Sequence, residues 1–311
     1  MLAEYAIIPN VFAQSSYASP ESCDRHLRYL KDGLLSWGLV RNMHNGGWLN
    51  CVLKHRDLWD KRGREILKKL ELQGRLYDSP ACSKNIPDTS IEWCQEALES
   101  HMASPLQGII TDQPTADLYK GEQLIAPSTH LTEKTWWTEG NSVELKRSTE
   151  DYLKELRPIL KYSNSIMFID PHLDPTRDGD KSYKGFVELI KACGTRSPAP
   201  SIEIHRVCYT GSGKDRIVTT TLPEWEECFK SRLEQTVRQM GLSVEVFIWD
   251  DFHDRYLISN LIGIMIPNGF DAEKMPSTTR WARLDRKDRD GVVKEFAPNT
   301  PNHALRHRFN I

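Results

Sequence analysis

Apolar positions recur at helical spacing in some stretches of the chain and at strand spacing in others, and the second half keeps the pattern more regularly than the first. Tyr5 to Ile8 reads as a short strand that turns at Pro9 and Asn10. A helix is expected from about Ser19, with Pro20 in its first turn and Leu27, Leu30, Leu34 and Leu35 on one face. Residues 57–72 carry Leu58, Ile66, Leu67, Leu70 and Leu72 among lysines and arginines, and Gly74 stands where a helix stops. Asp88, Thr89 and Ser90 offer a cap for a helix running to about Met102, and residues 107–111 read as a strand ending at Asp112. Periodicity is then lost over residues 112–143, which carry Pro114, Gly121, Pro127 and Gly140. This predicts a helix-rich α/β domain over 1–125, a linker over 126–143 and a second domain over 144–311.

In the second domain helices alternate with strands. Helices are expected over about 143–160, 184–192 and 224–240, and strands over 165–169, 202–209 and 244–249. Two short strands follow closely, over 256–259 and 262–266. The alternation predicts an α/β layer, and the closing pair predicts a mixed sheet flanked by helices.

Composition narrows the class without naming a function. A chain of 311 residues with 39% hydrophobic and 27% charged residues is ordinary for a globular protein of two domains. Its net charge of -2 gives no global basic signal, so contact with nucleic acid needs a local patch. No apolar run approaches the length of a membrane span, and the start has no basic and apolar leader, which predicts a cytoplasmic protein. The seven cysteines form no C-x-x-C pair, so free thiols and no metal or other cofactor are expected.

Candidate chemistry concentrates after the strand at 244–249, in Phe252-His253-Asp254-Arg255-Tyr256-Leu257-Ile258-Ser259-Asn260. In an extended segment His253 and Arg255 project to one side, where an imidazole and a guanidinium can meet one phosphate. The spacing of His253, Arg255 and Asn260 resembles the His-x-Lys-x4-Asp signature of phospholipase D-like phosphodiesterases, with Arg for Lys and Asn for Asp. The run Ser165 to Asp170, followed by Pro171, His172, Leu173 and Asp174, resembles the strand that opens such domains and ends at their active edge. The stretch from Asp254 to Ile264, with Asn268, Gly269, Phe270 and Asp271, is also similar to this superfamily. It looks most like the single-motif branch that includes C-terminal domains of MIT-domain proteins and relatives in bacterial defence loci.

The resemblance covers residues 144–311 and implies a phospholipase D-like fold and metal-independent phosphodiester hydrolysis through a phosphohistidine. It implies nucleic acid as substrate, and a homodimer that brings two copies of His253 together. His253 is then the nucleophile or acid, Arg255 the phosphate clamp and Asn260 the group that orients the imidazole. An amide cannot offset imidazolium charge, so Asp250, Asp251 or Asp254 is a candidate to supply it. Further candidates for the substrate site are Asp170, His172, His205 in the strand Ile202 to Arg206, and Lys214 and Arg216 in the loop after that strand. Thr210-Gly211-Ser212-Gly213-Lys214 is not a P-loop, because Cys208 and Asp215 occupy key positions.

Other segments carry weaker signals. The stretch from Arg280 to Arg308 is rich in arginine and is expected to fold back through Trp281, Leu284, Phe296 and Leu305, or to serve as a nucleic-acid patch. The first half is faintly similar to PIN-like nucleases, but Asn10 stands where their first Asp is expected. A recognition or partner-protein role is expected there instead. Alternatives to the enzyme are a binding module for nucleic acid or anionic lipid headgroups, and an adaptor in a defence complex.

Overall fold

No position of strand β1 (Ala3–Ile7) is exposed, the mark of a strand covered on both faces. In the computed structural model it is the centre of a parallel sheet ordered β3-β2-β1-β4-β5, with β2 (Gly38–Asn42), β3 (Leu76–Asp78), β4 (Gly108–Thr111) and β5 (Ile125–Pro127). Helices α1 (Pro20–Trp37), α2 (Gly47–Lys54), α3 (Lys61–Leu72), α4 (Ser90–Ala103), α5 (Gln113–Leu118) and α6 (Thr135–Thr138) belong to the same unit, Leu2–Gly140. A second unit comprises Asn141–Ile311. The structure describes residues 1–138, 140–175, 181–194, 196–211, 216–218, 220–272 and 277–311, without the side chains of Arg56, Lys181 and Ser182.

Helix starts follow the local chemistry. Ser19 caps α1 by accepting from the Ser22 N–H, and Thr89 and Glu92 form a reciprocal capping box on α4. Strand β2 was not among the expected elements, because its polar residues face inward. Arg41 is buried and donates to Glu4 Oε2 at 2.9 Å, Ser100 O at 2.9 Å and Ser104 O at 3.0 Å. A strand with its charge paired inside shows no polar face to betray its period.

The segment 126–143, expected as a linker, carries ordered elements. It holds the end of β5 and all of α6, and Trp137 is buried with its ring 5.0 Å from that of Tyr5. A Cβ added to Gly33 would lie 2.3 Å from the Trp137 ring, so α1 leaves room for the indole only as glycine.

The second unit contains β6 (Ser142–Lys146), α7 (Thr149–Tyr162), β7 (Ser165–Ile169), α8 (Lys181–Cys193), β8 (Ser201–Val207), α9 (Leu222–Met240) and β9 (Ser243–Trp249). It closes with β10 (Tyr256–Ser259), β11 (Gly263–Met265), β12 (Thr278–Arg283), α10 (Arg286–Glu295) and β13 (Leu305–Asn310). Among the described residues these strands form one mixed sheet ordered β13-β9-β8-β7-β10-β11-β12-β6, flanked by helices. The helix expected from Val143 starts only at Thr149, where Ser148 caps it. Val143 and Leu145 alternate with Glu144 and Lys146 at strand period and pair with β12.

Strands β7, β8 and β9 run parallel, while β10 and β13 run against them on either side. The C-terminal ends of β7, β8 and β9 therefore share one edge with the starts of β10 and β13. Open α/β sheets collect ligands at such an edge.

Candidate active site

A cleft of about 590 Å³ opens at this edge, within the size range of small-ligand sites. Among the described residues its wall includes Asp170 and His172 after β7, Arg206 at the end of β8, Arg255 before β10, and Asn268 after β11. Arg147 and Asp271 add a further pair, 3.5 Å apart.

Asp170 organises the cleft. Its Oδ1 accepts the His172 backbone N–H at 3.0 Å and lies 3.4 Å from Arg255 Nε. Its Oδ2 accepts the Phe270 N–H at 3.2 Å. Burial raises the Asp170 pKa, against the pull of these N–H groups and the Arg255 charge. Arg255 also donates to Pro267 O at 3.0 Å, which aims the guanidinium along the cleft wall. Partial burial and the charge of Arg255 lower the His172 pKa, so its imidazole is neutral at physiological pH.

Gly269 permits this arrangement. Its φ is +65°, and an added Cβ would stand 2.0 Å from Asp170 Oδ2 and 3.1 Å from Arg255 Cδ. Gly269→Ala is expected to destabilise the fold by about 2–3 kcal/mol and to displace Arg255. Thermal melting beside a phosphate-binding titration checks this; an unchanged midpoint with unchanged binding contradicts the geometry.

His253 stands apart from the cleft. Residues 251–255 are not part of a strand, so the two-residue spacing does not aim His253 and Arg255 to one side as the sequence suggested. The His253 side chain is 72% exposed and borders a neighbouring hollow with Asp251, Asp254, Glu295 and His303. Its Nε2 lies 3.3 Å from Arg216 Nη2 and 3.9 Å from Asp251 Oδ2. Asp251 also binds Arg216 Nη1 at 2.8 Å and accepts the Tyr209 O–H. Burial raises the Asp251 carboxyl pKa, but these bonds outweigh it and hold the value below the usual range. Burial first, and then the bond to Asp251, push Tyr209 up to about 12. Of the three carboxylates considered for charge beside His253, Asp251 is the one that faces the imidazole.

Several expected site residues lie elsewhere. Asp254 is exposed and turned to Tyr256, away from the cleft wall. His205 is fully buried and stacked on Phe247, ring centroids 4.6 Å apart. Its Nδ1 accepts the Trp249 indole N–H at 3.1 Å, so it serves the core and cannot meet a substrate. Asn260 sits at the opposite end of β10, where its Oδ1 accepts the Asn164 N–H at 2.7 Å. Because β10 runs antiparallel to β7, Asn260 is on the order of 16 Å along the chain from Arg255 and does not orient the imidazole. Lys214 lies outside the described residues.

Arg206 was not among the expected site residues. It is buried, donates to Leu173 O at 2.9 Å, Val207 O at 2.7 Å and Tyr209 O at 2.8 Å, and lies 3.5 Å above the Trp225 ring. Burial lowers its pKa to about 10, which still leaves a cation at neutral pH. The available signal was its place beside His205 near the end of an apolar strand: alternation sends one residue to the core and the other toward the cleft.

No protein-family model matches the chain, and no curated protein matches it. Among solved structures, a phospholipase D family member, Nuc from Salmonella typhimurium, aligns at a TM-score of 0.32 and 10% identity, over 53% of this chain and 96% of that one. TrmBL2, an archaeal chromatin protein whose structure shows a mode of DNA binding, aligns at a TM-score of 0.29 and 12% identity, over 76% of this chain and 79% of its own. What the C-terminal unit can do is carried by its own side chains. Among the described residues no group of three or more His, Cys, Asp or Glu side chains is arranged to hold a metal ion, and no helix is long and apolar enough to cross a membrane.

Proposed function

We propose that the C-terminal unit is a phosphodiesterase acting on nucleic acid without a metal ion. Arg255 grips the scissile phosphate, and histidine at the same sheet edge carries out the transfer. The supporting observation is Arg255 itself: held between Asp170 Oδ1 and Pro267 O, it presents a fixed guanidinium in a cleft of about 590 Å³, two residues from His253. A planar fork of donors suits two phosphate oxygens, and Arg206 adds a buried positive charge behind it. Preset donors in a partly desolvated site stabilise the charge that builds on phosphorus oxygens during transfer. Arg286, Lys287 and Lys294 border a shallow groove on α10 together with Asp290, which pairs with Arg286 at 3.8 Å.

Purified protein incubated in excess EDTA with single-stranded DNA, duplex DNA and RNA tests the proposal. Cleavage of one polymer, lowered about 10³-fold by His253→Ala, is expected. No cleavage of any of them, or full cleavage by the variant, counts against it. A second reading, a module that binds without cutting, is favoured by the resting contacts. Asp170 already neutralises Arg255, and Arg216 covers His253 Nε2 at 3.3 Å. Salt-sensitive retention that needs Arg255, without cleavage, would support that reading.

A further inference from the structure

We infer that the cleft reads ribose: the Tyr183 hydroxyl and the Asp174 carboxylate take a sugar 2′-hydroxyl between them, so that the C-terminal unit prefers RNA to DNA. The inference rests on the nucleic-acid reading above and names its substrate class.

It starts from a polar atom that the fold leaves over. Tyr183 stands in the first turn of α8, is 6% exposed and lines the cleft with Arg255. Its hydroxyl is buried and has no hydrogen-bond partner among the described residues. A buried donor without a partner costs stability, and at a cleft wall it marks a place where a ligand supplies the partner. Packing ties the ring to the phosphate clamp. Its centroid lies 6.1 Å from that of Phe186, and the Phe186 centroid lies 5.9 Å from that of Phe270. The Phe270 N–H donates to Asp170 Oδ2 at 3.2 Å, and Asp170 Oδ1 stands 3.4 Å from Arg255 Nε.

Asp174 lines the same cleft. The chain is pinned on both sides of it: Arg206 donates to Leu173 O at 2.9 Å, and Arg232 donates to Pro175 O at 3.3 Å. Its charge acts on the Tyr183 phenol, yet the hydroxyl does not bond to it. Burial first, and then the nearby Cys228 and Asp174 groups, raise the phenol pKa, so the hydroxyl keeps its proton and donates.

A donor and a carboxylate that share a cleft without bonding each other select what stands between them. A phosphate oxygen or a base carbonyl accepts from Tyr183 but meets the negative charge of Asp174. An amino group suits Asp174 but accepts nothing from Tyr183. A hydroxyl does both, and the 2′-hydroxyl is the group that RNA has and DNA lacks. A site built to bond a hydroxyl rejects the analogue without it, because the Tyr183 donor is then left unpaired again.

Retention of short single strands of one sequence by the full chain in EDTA tests this, with RNA, DNA and 2′-fluoro strands as probes. Wild type is expected to hold RNA about 10–100-fold more tightly than DNA. The 2′-fluoro strand keeps the sugar pucker of RNA without the hydroxyl, and is expected to bind like DNA. Tyr183→Phe is expected to remove most of the gap between RNA and DNA. Without ligand the same variant is expected to melt at or above the wild-type midpoint, because it loses only an unpaired hydroxyl, whereas loss of a structural hydrogen bond would lower the midpoint. The inference is overturned if wild type holds RNA and DNA alike or prefers DNA, if the gap persists in Tyr183→Phe, or if that variant melts below wild type. In each of these cases retention or cleavage of either polymer keeps the nucleic-acid reading. Wild-type protein that neither retains nor cuts either polymer sinks the reading and the inference together.

Discussion

Arg255→Ala is expected to lower phosphodiester cleavage by about 10³-fold and to weaken retention of nucleic acid, with little change in the melting midpoint. Arg255 is only partly buried, and its anchor at Pro267 O can return to water, so the loss falls on function. The exception is Asp170, whose side chain is buried and loses its cation. With the pKa already raised by burial, that carboxyl takes up a proton more readily and folding tolerates the change. Arg255→Lys is expected to recover less than about a tenth of the activity, because an ammonium cannot meet Asp170, Pro267 O and two phosphate oxygens with one planar fork. Steady-state cleavage by the wild type and the two variants in EDTA, with melting curves, checks this. Full activity in Arg255→Lys would mean that a point charge suffices and that the fork has no role.

Arg206→Met carries the largest expected loss of stability. The guanidinium ties the loop after β7, through Leu173 O, to the loop after β8, through Tyr209 O, and it stacks on Trp225 of α9. Methionine keeps some packing on the indole but strands three carbonyls. At about 1–3 kcal/mol for each unpaired buried group, and with water entering from the cleft, the net cost is about 3–5 kcal/mol. For a unit of this size that is a fall of roughly 8–16 °C in midpoint. Calorimetry of the full chain, with hydrogen exchange on peptides from β8 and α9 to assign the transition, measures it. A midpoint within about 2 °C of wild type would show that water replaces the guanidinium at little cost.

What could be read from the sequence follows from how far local patterns reach. The parallel strands of the second unit were legible because each is an apolar run between helices, and the edge where they end could be placed from Asp170 and His172. Arg255 emerged from its spacing to His253, although the backbone there is not a strand and splits the pair between two hollows. Asn260 fitted the same spacing but is carried to the far edge by β10, because strand direction is set by pairing and not by composition. His205 and Arg206 show the limit of alternation: both are buried, and only the packed structure shows that Phe247 and Trp249 claim the histidine while the cleft takes the arginine. In the first unit, β2 escaped notice because Glu4 and Ser100 satisfy Arg41 from outside the strand.

The decisive measurement is a rapid alkaline quench of the protein with an oligonucleotide labelled at its phosphates, in excess EDTA, followed by peptide mapping. A phosphohistidine survives alkali and is lost in acid, and here the label is expected on a peptide that carries a histidine from the sheet edge beside Arg255. Cleavage that proceeds with no labelled protein, or a label carried by a residue other than histidine, would contradict covalent transfer at this cleft.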